Sequence, residues 1–127
     1  MNNLEIIKLE HVFKTLGNRK RLALLVYLLG GESSINQMSK ALNIPYKTAD
    51  RNLLQLQESG FLNKHTSYNQ TFFSINYSAK NEYVLLLNII RKSAREDDLK
   101  ELAKSMLTTA RNMNKVYRHI KAKYSPM

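Results

Sequence analysis

The sequence predicts a mainly α-helical fold of order α-α-α-α-β-β-α, closed by an extra C-terminal helix. Three observations predict it. Residues 35–62, INQMSKALNIPYKTADRNLLQLQESGFL, read as two short helices around a tight turn, with a glycine ending the second. Directly after them the apolar period changes from helical to two, which reads as a β-hairpin. The 127-residue chain carries 20 Lys and Arg against 10 Asp and Glu, a net charge of +10, which fits a polyanionic partner. Two helices around a turn with a hairpin behind them make a winged helix-turn-helix, a unit that lays its second helix in the DNA major groove.

Each element follows from local pattern. Residues 4–16 carry Ile6, Leu9, Phe13 and Leu16 at spacings of 3, 4 and 3, the single apolar face of an amphipathic helix. Gly17-Asn18 interrupts it, and Asn18 is a good N-cap for a second helix over 19–29, with Leu22, Leu25, Val26 and Leu29 directed inward. Gly30-Gly31 ends that helix. Ser33 or Ser34 caps a third over 35–42, burying Ile35, Met38 and Leu42. Asn43-Ile44 forms the turn. Pro45 opens the fourth helix, where a missing N–H is no loss. That helix runs to about Ser59 with Ala49, Leu53 and Leu56 inward, and Gly60 supplies the stop. Residues 61–66 and 71–77 then read as strands, joined by Ser67-Tyr68-Asn69-Gln70, in which Asn69 tolerates a left-handed backbone.

From Ala79 to Tyr124 there is no proline or glycine, and the pattern stays helical. Tyr83, Leu87, Ile90 and Ala94 form one stripe. A second begins at Leu99 and runs through Ala103, Met106, Ala110, Met113, Tyr117, Ile120 and Tyr124, out of phase with the first. The phase change predicts a break near 93–98, and Asp98 with Glu101 makes a capping box there. Residues 1–94 are therefore expected to form the winged helix-turn-helix domain with its dimerisation helices, and 95–127 a basic helical extension. Residues 104–127 hold six basic side chains and no acidic one. Pairing in a dimer interface or added DNA contact are both open to this segment.

Composition excludes several functions. The chain has no cysteine, so disulfides, thiolate metal sites and thiol redox chemistry are ruled out. The hydrophobic fraction of 43% suffices for one core. No run reaches the ~18 apolar residues of a membrane span. The N-terminus carries acidic residues and no cleavage-site pattern, unlike a signal peptide; a cytoplasmic location is expected. There is no Gly-rich phosphate loop and no nucleophile with a base at workable spacing, so no enzyme is predicted and no cofactor is expected.

The outward face of the fourth helix carries Tyr46, Lys47, Asp50 and Arg51. Lys47 and Arg51 can donate to guanine or phosphate, and Tyr46 can donate or stack. Thr48 can touch a phosphate or cap the helix. Asp50 can accept from a cytosine amino group or brace Arg51 or Lys47. Leu54 is expected to be exposed on the same face. In the wing, Lys64, His65, Ser67, Asn69 and Gln70 can reach the backbone or the minor groove. Arg19-Lys20-Arg21 opposes the dipole of the second helix, at a cost of about a few tenths of a kcal/mol each. Either a phosphate offsets that cost, or Arg21 is tied to a nearby carboxylate.

LGNRKRLALLVYL (residues 16–28), with Arg21-Leu22, Leu42-Asn43-Ile44, Thr48, Leu53 and Gly60-Phe61-Leu62 in this order, resembles the ArsR-type bacterial and archaeal repressors over about residues 5–90. The resemblance implies a winged-helix homodimer that represses transcription and pairs through its first and last helices, here Ile6, Leu9 and Phe13 with Tyr83, Leu87 and Ile90. Its DNA partner is then double-stranded and of inverted-repeat form. The family often has a small hydroxyl residue and then His where this chain has Asp50 and Arg51-Asn52, and a basic residue where Leu54 stands, so its sequence preference does not carry over. Its metal sites do not carry over either. The cysteine pair is absent, and residues 80–92 contain only Glu82 and no His. His11, His65 and His119 are far apart in sequence and read as surface or interface histidines. The chain gives no identity for an effector. The alternative readings are a winged-helix protein-interaction module and a non-specific nucleic-acid or chromatin-type binder.

Overall fold

A computed structural model of the chain describes residues 2–78, 87, 91, 92, 94–108, 118 and 122. In chain order it has α1 (Asn3–Leu16), α2 (Arg19–Leu29), β1 (Ser33–Ser34), α3 (Ile35–Leu42), α4 (Tyr46–Glu58), β2 (Leu62–Ser67), β3 (Gln70–Ile75) and α5 (Glu96–Thr108). This is the mainly helical winged helix-turn-helix expected from the pattern, with one addition. The two residues of β1 pair antiparallel with β3, Ser33 opposite Phe73 and Ser34 opposite Phe72, giving a three-stranded sheet of order β1-β3-β2.

The helix ends follow sequence chemistry. Asn2 caps α1 in a reciprocal box with Glu5. Asn18 caps α2 by accepting from the Arg21 N–H at 3.0 Å. Of the two candidate serines, Ser34 caps α3, with Gln37 reaching back to the Ser34 N–H at 2.9 Å. Asn43 ends α3 in the left-handed region at φ 52° and starts the turn of the helix-turn-helix. Its geometry is pinned by the Ser39 hydroxyl, which donates to the Ile44 carbonyl at 2.6 Å.

α2 is the central helix. Ala23, Leu24, Leu25, Tyr27, Leu28 and Leu29 are all buried, because α1, α4, α5 and β3 each pack against a different side of it. This changes the expected inward set. Leu22 is exposed and Val26 only half-buried, while Leu24 and Leu28 lie at the centre. Ile35 and Met38 of α3, Leu53 and Leu56 of α4, and Phe61 and Phe73 at the base of the wing complete the core. The buried stripe of α4 is the expected one, Ala49, Leu53 and Leu56, each 0% exposed.

The break before α5 falls at Ala94 and Arg95, and the helix begins at Glu96. The expected Asp98–Glu101 capping box is therefore not the start. Asp98 lies within the first turn with Glu96 and Asp97, where negative charge favours the helix dipole. Leu99 and Ala103 are buried in the same core as α2, so this stretch of the basic C-terminal segment is core-forming. Gly30 makes the approach possible: a Cβ there would meet the Glu96 carbonyl oxygen at 2.8 Å. The partial burial of Met106 continues the stripe. Its later positions, from Ala110 to Tyr124, lie outside the described residues, as do Tyr83 and Ile90. Leu87 is helical and packs against the core.

Candidate nucleic-acid interface

Two faces of α4 divide its residues. Opposite the buried stripe, Tyr46, Lys47 and Arg51 are exposed, and Thr48 and Asp50 are half-buried. Pro45 occupies the N-cap, and no side chain caps the helix. Thr48 therefore does not cap it, and the first-turn N–H groups have no side-chain acceptor. Such a helix start favours an anion. Asp50 forms no ion pair among the described residues, so it braces neither Lys47 nor Arg51. Leu54 departs from expectation: it is half-buried and packs against the core rather than standing on the outward face.

The wing is a two-residue hairpin. Ser67 pairs with Gln70, and between them Tyr68 and Asn69 both adopt left-handed backbone, φ 50° and 61°. That is the mirror-image turn whose twist matches the flanking strands. Asn69 tolerates this conformation as expected, and Tyr68 shares it without the help of a small side chain. Lys64, Asn69 and Gln70 are exposed. Tyr68, at the tip, is 97% exposed. An aromatic side chain held out at a wing tip is a candidate contact residue that periodicity does not single out. His65 is tied down instead, stacked on Phe72 with centroids 5.3 Å apart and paired with Glu32 at 3.0 Å.

Behind α4 the basic start of α2 is resolved into two parts. Arg21 turns inward. Its Nε donates to the Thr15 carbonyl at 2.6 Å and its Nη2 to the Lys14 carbonyl at 3.3 Å. Its Nη1 donates to Asn52 Oδ1 at 3.2 Å and to Gln55 Oε1. No carboxylate is involved. The acceptors are the orphan carbonyls at the C-terminus of α1, where a cation is favoured, and two amides of α4. Asn52 is 4% exposed, and its amide donates to the Thr48 carbonyl at 3.0 Å, so both ends of this buried side chain are satisfied. Arg19 and Lys20 remain at the surface. With Asn18, Thr48 and Arg51 they line an open cleft of about 360 Å³ between α2 and α4, with no carboxylate among its lining residues.

α1 is bonded to the other end of α4 as well. The Thr15 hydroxyl and His11 Nε2 both lie 3.2 Å from the Ser59 hydroxyl at the α4 C-cap. On the same helix Lys14 and Glu10 pair at 2.8 Å, and this contact holds the Glu10 carboxyl below the usual carboxylate range. The apolar side chains of α1 divide: Leu9 and Leu16 are half-buried, whereas Leu4, Ile6, Ile7 and Phe13 are 49–63% exposed.

No family model and no curated protein matches the sequence. Solved structures do match in fold. HlyU from Vibrio cholerae superposes with a TM-score of 0.60 at 20% identity, over 72% of this chain and 97% of that one. The transcriptional repressor BigR from Xylella fastidiosa gives 0.56 at 24% identity, over 70% and 85%. The homodimeric winged helix-turn-helix DNA-binding domain Mb0332 from Mycobacterium bovis, described as a possible ArsR-family transcriptional regulator, gives 0.59 at 21% identity, over 73% and 86%. The chain thus has the winged helix-turn-helix fold found in these proteins.

Replacing Arg21 by Ala is expected to lower the unfolding free energy by about 2–4 kcal/mol, because Asn52 and the α1 carbonyls lose a charged partner. Arg21→Lys is expected to recover only part, since one ammonium cannot span four acceptors on two other elements. Denaturant unfolding of the two variants measures both; equal stability of Arg21→Ala and the parent would contradict the network.

Proposed function

We propose that this chain is an ArsR-type transcriptional regulator that binds double-stranded DNA as a homodimer and acts as a repressor. The observation that carries the reading is the two-sided character of α4. One face is wholly buried, and the other offers Tyr46, Lys47 and Arg51 at an uncapped helix start. Lys47 and Arg51 supply donors for guanine edges or phosphates, Tyr46 a donor and a stacking face, and Asp50 an acceptor for a cytosine amino group. Thr48 touches phosphate. Lys64, Asn69 and Gln70 of the wing, with Tyr68 at its tip, meet the adjacent backbone or minor groove. The net charge of +10 supplies the sequence-independent part of the affinity. The basic cleft beside Arg51 extends the phosphate-facing surface.

The homodimer reading rests on α1. Four large apolar side chains stand exposed on a helix that is capped and bonded to the rest of the fold. A second copy covers them, with Ile6, Leu9 and Phe13 against Tyr83, Leu87 and Ile90. Two α4 helices then enter successive major grooves about 34 Å apart, which calls for an inverted repeat. The half-burial of Leu54 removes the apolar patch that a protein-interaction module needs on this face.

Lys47→Ala and Arg51→Ala should each weaken specific binding by roughly 1–3 kcal/mol if the contact is to a base edge. Equal loss on specific and random duplexes would assign that residue to phosphate instead, and no loss on either would remove α4 from the interface. Phe13→Glu should yield a folded monomer in sedimentation analysis; an unchanged dimer would take α1 out of the interface.

A further inference from the structure

The tip of the wing has a composition at odds with its geometry. Residues 66–71, TSYNQT, carry no charge in a chain of net charge +10. Tyr68 and Asn69 both hold left-handed backbone, a turn that Asn-Gly or Asp-Gly makes with least strain. A bulky side chain in this conformation costs free energy. Burial returns none of it: Tyr68 is 97% exposed, and its ring stacks on no described residue. The arm behind it is braced. β1 pairs with β3 as far as Phe72, and His65 stacks on that ring while pairing with Glu32. The strand bases lie in the core at Leu62, Phe73 and Ile75, and β2 packs against α4. Beyond Phe72 the hairpin runs on as two strands and ends in the exposed ring.

The chemistry of the tip selects what it meets. A tip that grips phosphates needs cations, and residues 66–71 supply none. The hydroxyl and amide groups of Ser67, Asn69 and Gln70 instead match the acceptors and the guanine amino group of the minor groove. An aromatic ring among them gains most by leaving water for a base step, where it has a face to stack on. Insertion there unstacks the step and bends the duplex, and pyrimidine–purine steps yield at least cost. The minor groove of B-DNA, about 6 Å wide, admits one ring from a hairpin tip but not the hairpin itself. Attachment beside α4 in a chain of net charge +10 favours a duplex over a protein partner.

We propose that Tyr68 is a minor-groove wedge. It inserts at a pyrimidine–purine step outside the half-site read by α4 and adds a sequence preference through the deformability of the DNA. This rests on the DNA-binding function proposed above. The test is parallel selection of random duplex DNA by the full chain and by its Tyr68→Phe and Tyr68→Gly variants. The parent and Tyr68→Phe should enrich the same half-sites, each flanked by a TA or CA/TG step at a fixed distance. Tyr68→Gly should keep the half-sites, lose the flanking step and bind the parent's site about tenfold more weakly. It should unfold at a denaturant concentration no lower than the parent's, because glycine relieves the turn; the lost affinity is then not a lost fold. Circular-permutation electrophoresis should show a bend with the parent that Tyr68→Gly abolishes. A flanking step retained by Tyr68→Gly, no bend with the parent, or a step lost in Tyr68→Phe would overturn the wedge. Half-sites enriched by the parent without any flanking step would remove the wedge alone and leave the regulator reading standing. No binding by the parent would remove both.

Discussion

Arg21 ends one helix, begins another and fixes a third. A cation in the first turn of α2 opposes that helix's dipole, so the position is unfavourable in isolation. It becomes favourable because α1 ends nearby, with its last carbonyls pointing outward and short of donors. The guanidinium takes the Lys14 and Thr15 carbonyls with one edge and the α4 amides of Asn52 and Gln55 with another. Only a planar, many-donor side chain can serve acceptors on two other elements at once. Asn52 can be buried in the outer layer of α4 because Arg21 meets its oxygen and the Thr48 carbonyl meets its amide.

The consequence is a direct link between two surfaces that the proposed function keeps separate. α1 carries the exposed apolar residues, and α4 carries the exposed donors. They are joined at two places, through Arg21 to Asn52 and Gln55, and through His11 and Thr15 to Ser59. A symmetric pairing of α1 with its mate would therefore transmit directly to the spacing of the two α4 helices. Spacing is what a two-fold DNA site reads. The buried face of α4 adds a third constraint, since Ala49, Leu53 and Leu56 leave it no freedom to roll.

Much of this was legible in the sequence where a local rule decides. The caps at Asn18 and at the Ser33-Ser34 pair, the turn at Asn43-Ile44, the left-handed Asn69, the Ala49–Leu53–Leu56 stripe and the change of period at the wing each depend on neighbours within a few residues. What escaped depends on distant partners. β1 is two serines long, too short for any period, and exists only because Phe72 and Phe73 pass beside it. The inward set of α2 was misassigned at Leu22 because a helix packed on several sides has no single stripe. Asn52 looks like a surface residue until Arg21 is placed next to it, and Leu54 looks like a contact residue until the core is seen to reach it. Tyr68 gave no periodic signal because a hairpin tip has none. The proposed reading residues Tyr46, Lys47 and Arg51 are placed on an exposed face, but which base each meets depends on a partner that the chain alone does not specify.

Selection from a pool of random duplex DNA at two salt concentrations tests the central claim most directly. The account predicts enrichment of an inverted repeat whose half-sites lie about one helical turn apart, with affinity falling steeply as salt rises. Binding that is salt-sensitive but enriches no sequence would contradict base reading by α4. Absence of binding at both concentrations would contradict the DNA-binding account as a whole.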